Sequence, residues 1–244
     1  MEIIKNGKAL LLKLKNPQQV TAVIPKSKEL PDNKVLVNWG VDEARVLNNL
    51  NINAPSPIQK QYRWTGSLTP FAHQKTTSAF LTLNRKAFCF NEQGTGKTAS
   101  AIWASDFLLD RKIIKRVLVV CPLSIMDSAW RDDLFTFAPH RSVDVAYGSS
   151  KQRKQIIEQG AEYVIINYDG VAIVADEISK GGFDLIIVDE ATHYKNAQTT
   201  RWKTLNKLLK PDQWLWMLTG TPAAQSPLDA YGLAKLINPT SVPR

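Results

Sequence analysis

The chain has 244 residues, 44% hydrophobic and 22% charged, enough to bury a sizeable core as one large domain or as one with a small companion. Its longest apolar runs, such as 185–188, fall far short of the roughly 20 residues a membrane span needs. The N-terminus lacks the order of a secretory signal, and Cys89 and Cys121 are too few for a disulfide framework or a zinc site. These features exclude a transmembrane role and point to a reducing cytosol. Thirty-one Lys and Arg against 22 Asp and Glu give a net charge of +9, and residues 1–66 hold ten basic and five acidic side chains. A basic surface lowers the cost of approaching a polyanion, so nucleic acid is the leading partner class.

In chain order, Leu10, Leu12 and Leu14 share one face of a first strand, Val20, Ala22 and Ile24 one face of a second, and 35–39 forms a third. Asp42 is expected to cap a short helix running through Leu50. Residues 51–70 carry prolines at 55, 57 and 70 with little periodicity, the composition of an ordered linker, and the chain divides near Gly66. Beyond it, β-rich runs at 87–90, 117–121, 143–147, 163–167, 184–189 and 214–218 alternate with helical stretches. Strands buried on both faces and separated by helices form a mostly parallel sheet. The fold class is therefore α/β, with a small β-rich unit over 1–66 and the main domain over 67–244.

The strand at 87–90 runs into Asn91-Glu92-Gln93-Gly94-Thr95-Gly96-Lys97-Thr98 and then a helix. Strand, glycine loop and helix N-terminus cradle phosphates. Glycines let backbone N–H groups turn inward, Lys97 adds a full positive charge, and the Thr98 hydroxyl can ligate magnesium. Asn91 stands where the strict pattern has its first glycine. Asp189 and Glu190 end the run 184–188, putting two carboxylates at the C-terminal edge of a buried strand, where open α/β sheets bind ligands. One carboxylate suits a magnesium shell; its neighbour suits the orientation or deprotonation of an attacking water.

These motifs, with others, resemble a known family. Leu68-Thr-Pro-Phe-Ala-His-Gln74 is similar to the glutamine motif, 91–98 to motif I, and Leu118-Val-Val-Cys-Pro-Leu-Ser124 with Trp130 to motif Ia. Val164-Ile-Ile-Asn-Tyr168 is similar to motif Ib, Asp189-Glu-Ala-Thr-His-Tyr-Lys-Asn196 to motif II, and Leu218-Thr-Gly-Thr-Pro222, followed by Asn238-Pro239, to motif III and its exit. The set resembles the first RecA-like motor lobe of helicase superfamily two, of the Swi/Snf type, over residues 67–244. Residues 1–66 carry no motif that extends this resemblance.

The resemblance implies an ATP hydrolase that uses ATP and Mg2+ and tracks along double-stranded DNA. Gln74 would read adenine, and Gly94, Thr95, Gly96, Lys97 and Thr98 would hold the phosphates and magnesium. Asp189 would join the magnesium shell, and Glu190 would be the catalytic base. Ser124, Tyr168, Lys195, Thr219 and Thr221 would contact DNA or couple it to the nucleotide. Three positions depart from the pattern: Thr192 where His or a small residue is usual, Asn167 where threonine is common, and Ala224-Gln225 in place of Gln-Asn. Motifs IV to VI, including the arginine finger, belong to a second lobe, so the chain reads as half of a motor, weakly active or inactive alone, in a bacterial or phage-infected cytosol. Two alternatives stay open: a strand-separating helicase or restriction-type motor, and an ATP-sensing DNA-binding module without turnover.

Other features have plainer readings. In the 198–210 segment, Trp202, Leu205, Leu208 and Leu209 form an inward stripe opposite Lys203, Lys207 and Lys210, a solvated face. Tyr62 and Trp64 pack the linker onto the core, and Trp130 is expected in the core. His73 and His193 are hydrogen-bonding neighbours of their motifs rather than metal ligands.

Overall fold

The computed structural model describes residues 1–221 and 229–240. Pro222, Ala224 and Gln225 lie outside the described residues. The N-terminal strands β1 (Glu2–Ile4), β2 (Ala9–Lys13), β3 (Lys28–Leu30) and β4 (Lys34–Asn38) form an antiparallel sheet in the order β1-β2-β4-β3. Leu10, Leu12, Val35 and Val37 point to one face and close a small core with Trp39, Ala44 and Leu47. The expected strand at 20–24 is instead the one-turn helix α1 (Gln18–Thr21). Pro17 starts it at φ −59°, the value its ring imposes, and Val20 and Ile24, one turn apart, are both buried. Helix α2 (Val41–Asn49) begins one residue before the expected cap. Gly40 holds the cap position, while Asp42 sits in the first turn and pairs with Arg45 at 3.2 Å.

The linker holds the short helix α3 (Ile58–Gln61) and is tightly anchored. Gln61 Nε2 donates to the carbonyls of Gly7 and Trp39, and Tyr62 is buried with its ring edge-on to Trp64 and Phe107. Then come α4 (Ala72–Leu83), β5 (Lys86–Cys89), α5 (Lys97–Asp110), β6 (Val117–Cys121), α6 (Asp132–Phe137), β7 (Val143–Val145), α7 (Ser150–Glu158) and β8 (Tyr163–Asn167). The chain continues through α8 (Tyr168–Ile173), α9 (Ala175–Lys180), β9 (Leu185–Val188), α10 (Thr200–Leu208), β10 (Trp214–Leu218) and α11 (Asp229–Ile237).

The six strands from β5 onward pair in parallel in the order β5-β10-β9-β6-β8-β7. Alternation along each strand divides the core. Val117, Val119 and Cys121 face α4, α5 and α6, while Leu118 and Val120 face the layer of α7 to α11. Helix α5 is buried from Ala99 to Leu109, which suits a helix apolar nearly all round. On α10, Trp202, Leu205 and Leu208 are buried and Lys203 and Lys207 exposed; past the helix end, Leu209 is half-buried and Lys210 exposed. Among the described residues no helix is long and apolar enough to cross a membrane.

Candidate nucleotide site

Strand order, rather than chain order, assembles the site. Lys97 follows β5, Thr219 follows β10 and Asp189 follows β9, and these are three neighbouring parallel strands. Their C-terminal ends open on one edge, where α/β sheets hold ligands.

The glycine loop is braced from α4. Asn91 Nδ2 donates to Thr77 Oγ1 at 2.8 Å, His73 Nε2 lies 3.0 Å from the Thr95 carbonyl, and Gln74 Nε2 donates to that carbonyl at 3.3 Å. The other end of the Gln74 carboxamide accepts the Phe71 N–H at 2.9 Å, so this buried side chain ties the first turn of α4 to the loop. Lys97 Nζ donates to the carbonyls of Asn91 and Glu92 at 2.9 and 3.0 Å, which centres its charge in the loop. Gly94 and Gly96 both sit at φ +75°, in the left-handed region glycine adopts without strain. Thr98, half-buried in the first turn of α5, adjoins them.

Asp189 prolongs the ladder of β9, its N–H donating to the Val120 carbonyl at 2.9 Å, and is buried. Its Oδ1 accepts the Glu190 N–H at 2.9 Å and its Oδ2 accepts Trp130 Nε1–H at 2.9 Å. Burial pushes the Asp189 carboxyl above the usual aspartate value, against the opposing pull of those two donors and of the Lys97 charge. Glu190 is half-buried in the left-handed region at φ +45°, a backbone state that costs a non-glycine residue energy and often marks a functional turn. Magnesium takes hard oxygen ligands. The Asp189 carboxylate and Thr98 hydroxyl are of that kind, so the residues present fit such an ion.

Motif III touches the loop directly. The Thr219 N–H donates to the Cys89 carbonyl at 3.1 Å, its hydroxyl accepts the Thr221 N–H at 3.2 Å, and a Cβ on Gly220 would stand 3.2 Å from Gln93 Cγ. Thr219 is buried and Thr221 exposed. Among the other expected DNA residues, Ser124 is exposed on a short 3-10 turn after β6, and Lys195, within motif II, is half-buried. Tyr168 points inward: its hydroxyl donates to the Asp189 carbonyl at 2.7 Å and its ring lies 4.7 Å from that of His193. Thus Tyr168 braces the carboxylate turn. Trp130 is fully buried, as expected of a core residue, but its link to Asp189 was invisible in the sequence.

A parallel sheet with a phosphate-type loop and an Asp-Glu pair on neighbouring strand ends defines a RecA-like nucleotide-binding lobe. A family profile for the SNF2-related domain matches residues 32–243, and the chain belongs to that family. It is 28% identical over 151 residues to an uncharacterised ATP-dependent helicase of Mycoplasma genitalium, covering 61% of this chain and 14% of that protein. It is also 28% identical over 183 residues to a SWI/SNF-related regulator of chromatin, subfamily A-like protein 1, of Xenopus laevis, covering 73% of this chain and 18% of that protein. The fold is similar to a Sulfolobus solfataricus SWI2/SNF2 ATPase core solved with double-stranded DNA. There the TM-score is 0.63 at 24% identity, over 72% of this chain and 37% of that one. The chain thus spans a small part of its curated relatives.

Proposed function

We propose that this chain is the nucleotide-binding lobe of an ATP-dependent double-stranded DNA translocase, completed by a second lobe and working in a bacterial or phage-infected cytosol. The convergence of Lys97, Asp189, Glu190 and Thr219 on the ends of three adjacent strands carries the reading. In it, residues 67–244 form the motor lobe and residues 1–66 a basic accessory unit with its linker. Gly94 to Lys97 bind the phosphates, and Gln74, fixed at the rim of the loop, meets adenine. Thr98 and Asp189 hold Mg2+, which when bound supplies positive charge to the phosphates. Glu190 orients and deprotonates the attacking water, within reach of the Asp189 turn that Tyr168 braces. Thr219 and Thr221, touching the loop through Gly220, pass the state of the nucleotide to DNA-facing Ser124 and Lys195.

Calorimetry with Mg2+ and the slowly hydrolysed analogue ATPγS tests the reading. Lys97→Ala should abolish binding, because the ammonium offsets the mutual repulsion of the phosphates. Glu190→Gln should keep it, since shape is preserved while the base is lost. Unchanged affinity in Lys97→Ala would overturn the phosphate-loop assignment.

A further inference from the structure

We propose that Trp130 is a positioning residue for Asp189: its indole N–H sets the orientation in which that carboxylate meets the metal-bound nucleotide. The inference rests on the reading just given and adds a residue to it.

Asp189 has two donors of different kinds. The Glu190 N–H belongs to the next residue and moves with the same turn, so it leaves the rotation of the carboxylate about its own side-chain bonds weakly defined. Trp130 comes from the segment after β6, and its donor at 2.9 Å therefore ties the carboxylate to a separate element. Indole N–H donates and never accepts, so this contact favours the ionised carboxylate and occupies one lone pair of Oδ2 while leaving the other available. Trp130 has no exposed surface, which keeps water from taking its place.

Two further observations set Trp130 apart from an ordinary core tryptophan. Trp39, Trp103, Trp202 and Trp216 each donate to a backbone carbonyl, of Pro55, Thr65, Gly232 and Asn84; Trp130 donates to a carboxylate. Trp130 also lies in a π-helical turn, Met126–Arg131, between the 3-10 turn Leu123–Ile125 and α6. Such turns are rare and concentrate at functional sites. Trp130 is thus presented from an irregular turn between a 3-10 turn and α6 rather than from a regular α-helix. The preceding 3-10 turn carries exposed Ser124, so one continuous piece of chain links an expected DNA-contact residue to the Asp189 carboxylate.

The test has one arm without ligand and one with it. In the 15N-labelled chain, Asp189→Asn should shift the assigned Trp130 indole resonance and leave that of Trp103 in place. By calorimetry, Mg2+ should tighten ATPγS binding in the wild type, and Trp130→Phe should reduce that gain on the order of tenfold, the scale at which outer partners of metal ligands act. Affinity without Mg2+ should stay unchanged. Trp103→Phe, which loses a core indole bonded to a carbonyl, should lower thermal stability while keeping the full Mg2+ effect, and Trp130→His, which retains a ring N–H, should recover part of it. In an Asp189→Asn background, Trp130→Phe should have no further effect on Mg2+ dependence. An unmoved Trp130 resonance, a full Mg2+ effect in Trp130→Phe, or an equal loss in Trp103→Phe would overturn the proposal and leave the nucleotide reading intact. Absence of Mg2+-dependent binding by the wild type would overturn both.

Discussion

Gly96 shows how one backbone position sets the shape of the loop. At φ +75° it occupies a region that costs other residues about 1–2 kcal/mol, and a Cβ there would stand 2.1 Å from Gln74 Nε2. Gly96→Ala should therefore lower stability by about that amount in urea denaturation and weaken ATPγS binding, because Gln74 must leave the Thr95 carbonyl to make room. Asp133 carries a different signature. Burial, helped by the charges of Asp132 and Asp189, raises its carboxyl from 3.8 to about 6. The folded state then holds this proton more tightly than the unfolded chain, so the contribution of Asp133 to stability falls as pH rises from 3.8 to about 6. Asp133→Asn should reduce that part of the fall and raise the melting temperature at pH 7. Parallel stability profiles for the two proteins across pH 4–7, followed by circular dichroism, would refute the assignment.

At the scale of elements, the buried carboxylate on α5 joins the linker to the lobe. Asp106 accepts from Tyr62 and Thr65 of the linker, from Arg141 Nε at 2.5 Å and from His140 at 3.0 Å; Arg141 also pairs with Asp110 and, at 2.8 Å, with Glu162. Asp106, Asp110 and His140 lie close enough together to suggest a metal site, but Arg141 pairs with both carboxylates, so the cluster is an ion network. Asp106→Ala leaves Arg141 largely buried without its main partner and should cost about 3–5 kcal/mol. Tyr62→Phe removes one of several donors to that carboxylate and should cost less, about 1.5–3 kcal/mol. Urea denaturation of both variants checks the ranking, and equal losses would contradict it.

For the whole molecule, net charge and the proposed second lobe govern the expected behaviour. Lys13 and Lys34 are cross-strand partners in the N-terminal sheet, a like-charge pairing that destabilises a sheet and is relieved by a bound anion. Binding to duplex DNA should be weak, indifferent to sequence and steeply salt-dependent, and the double variant Lys13→Glu, Lys34→Glu should weaken it and flatten the salt slope. Charge reversal is a cleaner test than deleting residues 1–66, because deletion also strips Tyr62 and Thr65 from Asp106. A fluorescence titration with no change would assign the sheet to folding or to a protein partner. An arginine finger from a second lobe is worth about 10³ to 10⁵ in rate, so this chain alone should hydrolyse ATP barely above background, with little stimulation by DNA. Robust DNA-stimulated turnover would mean that the chain completes its own site.

The features legible in the sequence were local. Strands β6, β8, β9 and β10 are buried on both faces and therefore read as continuous apolar runs, and the glycine loop and Asp189-Glu190 announce themselves because their chemistry depends on adjacent residues. The segment 18–24 misled because Val20, Ala22 and Ile24 fit a strand, while Val20 and Ile24 fit a helical turn equally well. One turn is too short for periodicity to separate the two, and burial against Trp39 and Leu47 decided it. Only the tertiary structure brought β5, β10 and β9 side by side, turned Tyr168 inward, and carried the indole of Trp130 to a carboxylate 59 residues away. Such contacts depend on strand order and on the register of a π-helical turn, and neither leaves a pattern in neighbouring residues.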